Sequence, residues 1–570
     1  MNWLKRHEWW IVGALACLAF ALGYAGMASY YSTVGISAFP LDIVYGVLHL
    51  YSVSYPIDVA SGGPLSAPNL MVQIARFLAP ATIAYSLLRL VAAAIGDAAS
   101  KLAVAGYEDH VVVCGAGERG FMIATSLLSL GRRVLVVDPF LNGSHLAELR
   151  AAGAKIVIGS ALDATVLKRA RVVAARHVAV VTGDEGRNLA VAQKCAQLAA
   201  QFDRAHHQMR PLTIRAHASR EFMDVFEEVK PFGLVDSNAD ARFFESGDMA
   251  ARQIAINLSI KHGMEIVVGH AKPKLLIVGD GSFTAALLGM ILRQMQLPGC
   301  AMPVIDVVST NLDPVLESFP QAHPQLDHVG AVQFSQKSRG QLLSEEFLLR
   351  KSQTGGGYDV VIVSLEDAFA CIKLGRRLTQ QMRAEETHTQ SVSTEPSVVL
   401  CVKPTADLNG VEGHLAAERY GQIYNVTRLG CCSEAVFDEA LDAQAKAAHE
   451  SYLEHFGEAA HDPARPSGAP WAILKEEFKA ANRRTIDHDA LKKVFLGQAP
   501  SREMLEKLAE AEHRSWMADR ILAGWRRGEQ RDDSKKLHPS IVSYHELPQS
   551  ERGKDLEKVQ RLCRAEPSKG

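Results

Sequence analysis

Three rhythms of apolar and polar positions succeed one another along the chain, and each predicts a different kind of structure. From Trp9 to Tyr31 the sequence is almost uncharged and stays apolar for long enough to cross a bilayer as a helix. A second such stretch, about 69–94, contains Arg76, Pro80 and Arg89. Between them a shorter apolar run, about 41–55, has Asp42 and Asp58 near its ends, a length that suits a re-entrant or interfacial helix rather than a crossing. Past residue 107 the rhythm changes to short apolar runs alternating with helical periods, the pattern of a doubly wound α/β sheet. Strands are expected at His110–Cys114, Val134–Val137, Lys155–Gly159, His177–Val181 and Leu212–Ile214. After a restart they follow at Lys274–Val278, from Val304 to an end at Asp306, and at Asp359–Val363. Asp462–Pro470 is rich in breakers and reads as a linker, and from Trp471 onward the period is helical.

Charge sets the orientation. Lys5 and Arg6 precede the first span, while residues 32–68 hold no Lys or Arg, so the N-terminus is placed in the cytoplasm and the bulk of the chain with it. Gly26-Met27-Ala28 also fits a signal-peptide cleavage site, and the second span would still deliver everything after residue 100 to the cytoplasm. Arg89 can snorkel to the headgroups. Arg76 needs a pore, a partner or the interface. The expected location is therefore the inner (cytoplasmic) membrane, with more than one pass.

A length of 570 residues implies roughly three to four domains at ~150 residues each. The balance of 61 basic against 63 acidic residues excludes a general nucleic-acid binder, and 48% apolar residues exclude disorder throughout. Nine cysteines without a CxxC pair argue against a disulfide framework or zinc finger, and no metal site is expected. There is no GxSxG elbow, HExxH helix or GxxxxGK[ST] loop, so no catalytic residues are assigned and the chain is not read as an enzyme.

The strongest local signal is strand, glycine loop, helix: His110–Cys114 runs into Gly115-Ala116-Gly117-Glu118-Arg119-Gly120, and a helical period follows. Backbone amides at such a helix N-terminus can hold a pyrophosphate. Asp138, closing the second strand, can accept both ribose hydroxyls and repel a 2'-phosphate, which favours NAD(H), or a related adenine nucleotide, over NADP(H). Asp163, Thr182 and Asp184 follow the third and fourth strands. This set, with Asn188, resembles the regulator-of-potassium-conductance (RCK) N-terminal domain. The resemblance implies a Rossmann-like NAD-binding domain over 107–265 that pairs into dimers or rings and couples ligand binding to a membrane pore. A second, degenerate Rossmann-like copy is expected over 272–455, with Gly279-Asp280-Gly281 in its loop and Thr284 in place of the third glycine.

Two further resemblances complete the layout. Span, short helix, span over 1–104 is similar to a two-span potassium-channel pore, with Ser52, Val53, Ser54 and Tyr55 where such channels carry their filter. Ser54 and Pro56 replace filter glycines, so potassium selectivity is in doubt, and a two-span anchor is the alternative. After a linker at 456–470, residues 471–566 resemble the Ryr repeat of ryanodine receptors, through Glu512-His513-x-x-Trp516, Gly524-Trp525, Arg531-Asp532-Asp533, Lys536-x-His538-Pro539 and Lys554-Asp555. Trp516, Trp525, Arg531, Asp532, Lys535, Lys536 and His538 are the candidates for a second, nucleotide-derived ligand. The rival reading makes the tryptophans core and the basic residues solvated. The expected whole is a homo-oligomeric, membrane-embedded receptor, channel-like, in which the cytoplasmic domains sense ligands and control ion flux or membrane integrity. A membrane-anchored NAD-binding sensor or enzyme acting through a partner is the alternative.

Overall fold

The computed structural model describes residues 8–52, 69–140, 144–202, 210–219, 222–223, 235–236, 238–269, 272–319, 325–342, 358–386, 397–403, 422–437, 439–456, 466–471, 474–497 and 500–564. The chain divides into two compact units, Met1–Gly106 and Tyr107–Gly570.

In the first unit three helices pack together: α1 (Glu8–Val34), α2 (Pro40–Tyr51) and α3 (Leu70–Ala105). The windows Trp10–Val34 and Leu70–Val91, with mean hydropathies of 2.0 and 1.4, are long and apolar enough to cross a membrane. Their outward positions carry large apolar side chains, among them Trp10, Leu18, Phe77 and Leu88. Pro40 opens α2, where its missing N–H is no loss. Ile43, Val47 and Leu50 are the buried face of this short helix. The backbone of α1 comes close to its neighbours at two glycines: a Cβ on Gly23 would lie 3.1 Å from Val47 Cγ1, and one on Gly26 would lie 2.6 Å from Val72 Cγ2. Asn69 caps α3 by accepting from the Met71 amide (3.1 Å) and ties it to α1 by donating to the Gly26 carbonyl (2.7 Å). The Arg76 guanidinium lies 4.7 Å from the centre of the Phe77 ring. Ser52 caps α2, with its hydroxyl donating to His49 O at 3.0 Å, while the pore candidates Val53, Ser54 and Tyr55 lie outside the described residues. Helix α3 runs on past the expected end of the second span, about residue 94, to Ala105, as the alanine-rich sequence there favours.

The second unit contains two parallel sheets. The first is built from β1 (Val111–Cys114), β2 (Val134–Asp138), β3 (Lys155–Ile158), β4 (His177–Val180), β5 (Leu212–His217), β6 (Val235–Asp236) and β7 (Ala239–Phe244), in the order β3-β2-β1-β4-β5-β7-β6. All pairs are parallel except β6 with β7. Helices α4 (Glu118–Ser129) and α5 (Glu185–Ala200) follow β1 and β4, and α6 (Ser246–Gly269) leads out of the sheet. The second sheet repeats the order as β10-β9-β8-β11-β12-β13, from β8 (Lys274–Gly279), β9 (Val304–Ser309), β10 (Ala331–Gln336), β11 (Val360–Ser364), β12 (Ser397–Val402) and β13 (Gln422–Asn425). Its helices include α7 (Gly281–Gln294) and α8 (Ala368–Glu386). Strands such as Val111–Cys114 and Val360–Ser364 are buried at every position, because helices cover both faces of a doubly wound sheet. The fold is thus Rossmann-like α/β, twice, with a helical C-terminal region.

Two short helices, Val426–Gly430 and Ser433–Phe437, return from the second sheet to the first. Cys431, Val436 and Phe437 enter the first domain's core, and the Phe437 ring stacks on His177 at 4.5 Å. Then come α9 (Glu439–Phe456), α10 (Glu476–Leu496), α11 (Arg502–Leu522), a two-stranded pairing of β14 (Arg526–Arg527) with β15 (Leu537–His538), and α12 (Gln549–Arg564). Of the expected linker 456–470, Pro466–Gly468 form a single 3-10 turn with Gly468 buried. Breakers mark where the backbone turns but not whether the next element packs back, and here it does: Leu491, Met517, Ile521 and Trp525 share one apolar core with Leu287, Leu288 and Ile291 of α7.

Buried ion pairs lock the layers. Arg252 of α6 grips Asp487 of α10 through Nε (2.7 Å) and Nη2 (2.8 Å), both side chains being buried. Asp487→Ala leaves that guanidinium uncompensated, and unfolding followed in detergent should fall by about 3–5 kcal/mol. A change under ~1 kcal/mol would show that the pair is solvated in solution.

Candidate functional site

The glycine loop of the first sheet is shaped by steric need. Gly115 has φ +110°, and a Cβ on it would lie 2.5 Å from Val181 O; one on Gly120 would lie 1.9 Å from Gly115 O. Gly117 caps α4 and faces open space, so the amides of the first turn, at Glu118, Arg119 and Gly120, are presented past it. Glu118 is exposed at this helix end, whereas the Arg119 Nε donates to Ser246 Oγ (3.2 Å). The Asp138 carboxylate accepts from the Ala116 amide (2.8 Å) and the Phe140 amide (2.9 Å), which fixes it beside the loop while leaving each oxygen a second lone pair.

The remaining residues of the expected site cap and brace the turns after β3 and β4. Asp163 caps the helix Ala164–Arg169, accepting from the Thr165 amide (2.8 Å) and hydroxyl (2.9 Å), bonds that hold its carboxyl below the usual range. The Thr182 amide and hydroxyl both donate to Asn188 Oδ1 at 2.8 Å, and Asn188 Nδ2 donates to His217 O. Asp184 caps α5 through the Arg187 amide (2.7 Å). Thr182, Asp184 and Asn188 are thus a clasp that sets the β4–α5 turn against the glycine loop.

The second sheet's loop is built differently. Asp280 Oδ1 accepts from Ser309 Oγ (2.9 Å), the Thr310 amide (2.9 Å) and Thr310 Oγ1 (2.8 Å), so the carboxylate spans from the loop to the end of β9. Thr284 is wholly buried, bonded to Ser364 Oγ (3.1 Å) and Asp280 O (3.0 Å). A Cβ on Gly281 would lie 2.7 Å from Glu366 Oε1, which places a second carboxylate against this loop. Two carboxylates there oppose a pyrophosphate. Asp306, expected to end its strand, sits in the middle of β9 because the strand runs on to Ser309, and the Tyr358 hydroxyl donates to it.

A cavity of about 590 Å³ opens among α9, α10, α11, the β14–β15 loop and α12. Of the seven residues expected to hold a second ligand, Trp516, Trp525, Arg531 and His538 line it. Asp532, Lys535 and Lys536 instead shape the turn. Asp532 Oδ1 accepts from the Ser534 and Lys535 amides, Lys535 pairs with Asp532 (3.3 Å), and Lys536, at φ +52°, donates to Ala523 O (3.0 Å). Arg531 is paired with Asp533 at 2.7 Å. His538 accepts at Nδ1 from the Ser540 amide (3.1 Å), and burial, followed by the charges of Arg531 and Arg520, pushes its pKa down to about 3, so the ring is neutral. Trp525 is only 2% exposed and belongs to the core as well as to the cavity wall.

Sequence reasoning missed Arg520, Tyr452 and Phe478 in this cavity. Arg520 sits four residues past Trp516 on one helix face, a spacing that could have found it. Tyr452 and Phe478 come from helices distant in sequence and carry no local signal. On the cavity wall itself, Asp519 meets Arg293 (3.1 Å) and Arg484, and Glu512 meets Lys558 and the buried Lys492. Burial raises both carboxyls, but the neighbouring cations outweigh it and hold them below their ordinary range.

A strand, a glycine loop held open at a helix N-terminus and an acid at the next strand's end define a Rossmann-like domain of the nucleotide-binding class. Residues 111–221 match the TrkA-N domain model, the RCK N-terminal domain, and residues 491–565 match the RyR domain model. Among solved structures, this chain is similar to the GsuK L97D mutant (13% identity, TM-score 0.37, covering 76% of this chain and 99% of that one). It is also similar to the GsuK channel bound to NAD (12% identity, TM-score 0.38, covering 78% and 86%). Scores of that size do not define a common overall arrangement.

Trp525→Ala removes a core side chain, so it should lower unfolding stability by about 3–5 kcal/mol. An unchanged melting temperature would show that Trp525 serves the cavity alone. The depressed Asp519 and Glu512 carboxyls stabilise the fold fully above the unfolded carboxylate values near pH 4 and lose that contribution as pH falls through their lower folded values. Melting temperature should therefore drop below about pH 4, and Asp519→Asn should flatten that drop.

Proposed function

We propose that this protein is a membrane-embedded, ligand-regulated receptor of channel type, in which an adenine dinucleotide bound at the glycine loop and a second ligand in the C-terminal cavity bias the state of the membrane helices. The observation that carries this reading is the loop itself: Gly115 and Gly120 placed by steric need, Gly117 open to space, and Asp138 fixed beside it. That arrangement suits a pyrophosphate and a ribose, and on this reading the ligand acts by differential affinity for two states. We divide the chain into a membrane region to about residue 104, an RCK N-terminal domain at 107–265, a second Rossmann-like domain at 272–455 and a Ryr module at 471–566. The carboxylates at the second loop fit a pairing or scaffolding copy. NAD(H) is the expected ligand of the first, a homo-oligomer in the cytoplasmic membrane the expected assembly, and residues 52–55 the expected pore constriction. Ser54 and Pro56, in place of filter glycines, favour as second reading an anchored sensor that acts through a partner.

The test is potassium flux from liposomes carrying the full chain, with and without NAD(H). Ligand-dependent flux supports the channel reading; NAD binding without flux supports the anchored sensor, and NAD turnover an enzyme. Asp138→Ala should weaken NAD binding in calorimetry about tenfold or more while the melting temperature is kept. Unchanged affinity would move the dinucleotide site elsewhere.

A further inference from the structure

Arg520 lines the C-terminal cavity without an ion pair of its own, although the charges of Asp519 and Asp533 lie close enough to favour its protonated form. The Arg520 guanidinium lies 5.8 Å from the Phe478 ring centre, 5.9 Å from Trp516 and 5.1 Å from Trp525. Among the described residues no carboxylate comes within ion-pair distance of it, whereas Arg293, Arg484 and Arg531 on the same wall each meet one. Aromatic faces stabilise a cation but accept few of the five N–H donors that a guanidinium carries. A guanidinium held so keeps N–H donors free for an anion from outside. His538 adds a second unfilled group. Its Nδ1 accepts from the Ser540 amide, which puts the proton of the neutral ring on Nε2, and no acceptor for that N–H exists among the described residues. Trp516, partly exposed, stands 5.0 Å from His538 and offers a flat face to a ring. The volume of about 590 Å³ falls within the usual range for small-molecule sites, about 300–1,000 Å³.

We infer that this cavity binds a planar-ring anion of mononucleotide size, with Arg520 as its anion anchor, and that α9 and α10 complete the site from outside the RyR-matched segment. Tyr452, Phe478, Asn482 and Thr485 all line the cavity and all precede residue 491, where the RyR match begins. Residues in front of the module therefore set which ring and which sugar it admits. The inference rests on the reading of this cavity as a second ligand site and adds the ligand's chemistry and its anchor.

The experiment is calorimetry on the full chain in detergent, in an Asp138→Ala background that weakens the glycine-loop site, with AMP, ADP, adenosine and inorganic phosphate as probes. AMP or ADP should bind more tightly than adenosine or phosphate alone. Arg520→Gln should weaken AMP about tenfold to a hundredfold, the range for hydrogen bonds to a charged group, and leave adenosine unchanged. A merely structural role would weaken both alike. Thr485→Phe narrows the cavity from α10 without touching Arg520, and it should weaken AMP as well even if Arg520→Gln fails to fold. No AMP or ADP binding by the protein with an intact cavity overturns both the inference and the ligand-site reading. AMP affinity lost in Thr485→Phe but kept in Arg520→Gln removes the anchor and leaves the ligand site standing. AMP affinity kept in both overturns the inference, because the probe then binds elsewhere.

Discussion

Helix α10 is the element on which the second unit depends, and what makes it so is buried charge. Within three turns it carries Arg483, Arg484, Asp487, His488 and Lys492, and each meets a partner on one of three other helices. Arg483 pairs with Asp442 of α9 (2.5 Å), Arg484 with Asp519 of α11, Asp487 with Arg252 of α6, and Lys492 and His488 with Glu512 of α11. Asp442 also holds Arg242 of β7 at 2.6 Å, which extends the network into the first sheet. Desolvating so many ions is expensive, and an apolar helix of equal volume could be as stable. What the ions supply is a register: each pair can form in one placement of α10, and sliding the helix by a turn would strand several charges at once.

The two sheets show how one topology serves two ends. Both use the same strand order with a glycine-containing turn after the central strand. In the first, the acid comes from the end of β2 and reaches back to the loop amide at Ala116, leaving the helix N-terminus clear. In the second, the acid is in the loop at Asp280 and reaches across to Ser309 and Thr310, while Thr284 fills the third-glycine position with a hydroxyl bridged to Ser364. Reversing which side of the crevice supplies the carboxylate turns an anion cradle into an internally satisfied joint. That change frees the second copy to become the floor on which α10 and α11 pack.

Most of the backbone plan was legible because it is written in local periodicity: two long apolar stretches, strands of continuous Val and Ile, and the glycine spacing at 115, 117 and 120. The short helix before Ser52 was equally plain from the length of its apolar run. Four things were hidden for physical reasons. The continuation of α3 to Ala105 rests on alanine propensity, which carries no amphipathic signature. Asp306 looked like a strand end because an acid there is usually exposed, yet the Tyr358 hydroxyl lets it sit mid-strand. Lys535 and Lys536 looked like ligand groups because basic residues near tryptophans suggest phosphate, but the left-handed backbone at Lys536 turns them into parts of a loop. Tyr452 and Phe478 could be found only by folding, since tertiary packing alone brings α9 and α10 to the cavity.

This composite wall bears on how a ligand signal could travel. Asn482 and Thr485 of α10 face the cavity, while Arg483 and Asp487, on the same turns, hold the first sheet's β7–α9 cluster and α6. A ligand that fits only one placement of α10 would therefore bias the same ion pairs that fix the first α/β domain against the second. Because those pairs form in full or leave charges stranded, the helix has few intermediate positions, which is the property a two-state element needs. The coupling available equals the difference in ligand affinity between the two placements, and about 1.4 kcal/mol of it shifts their ratio tenfold.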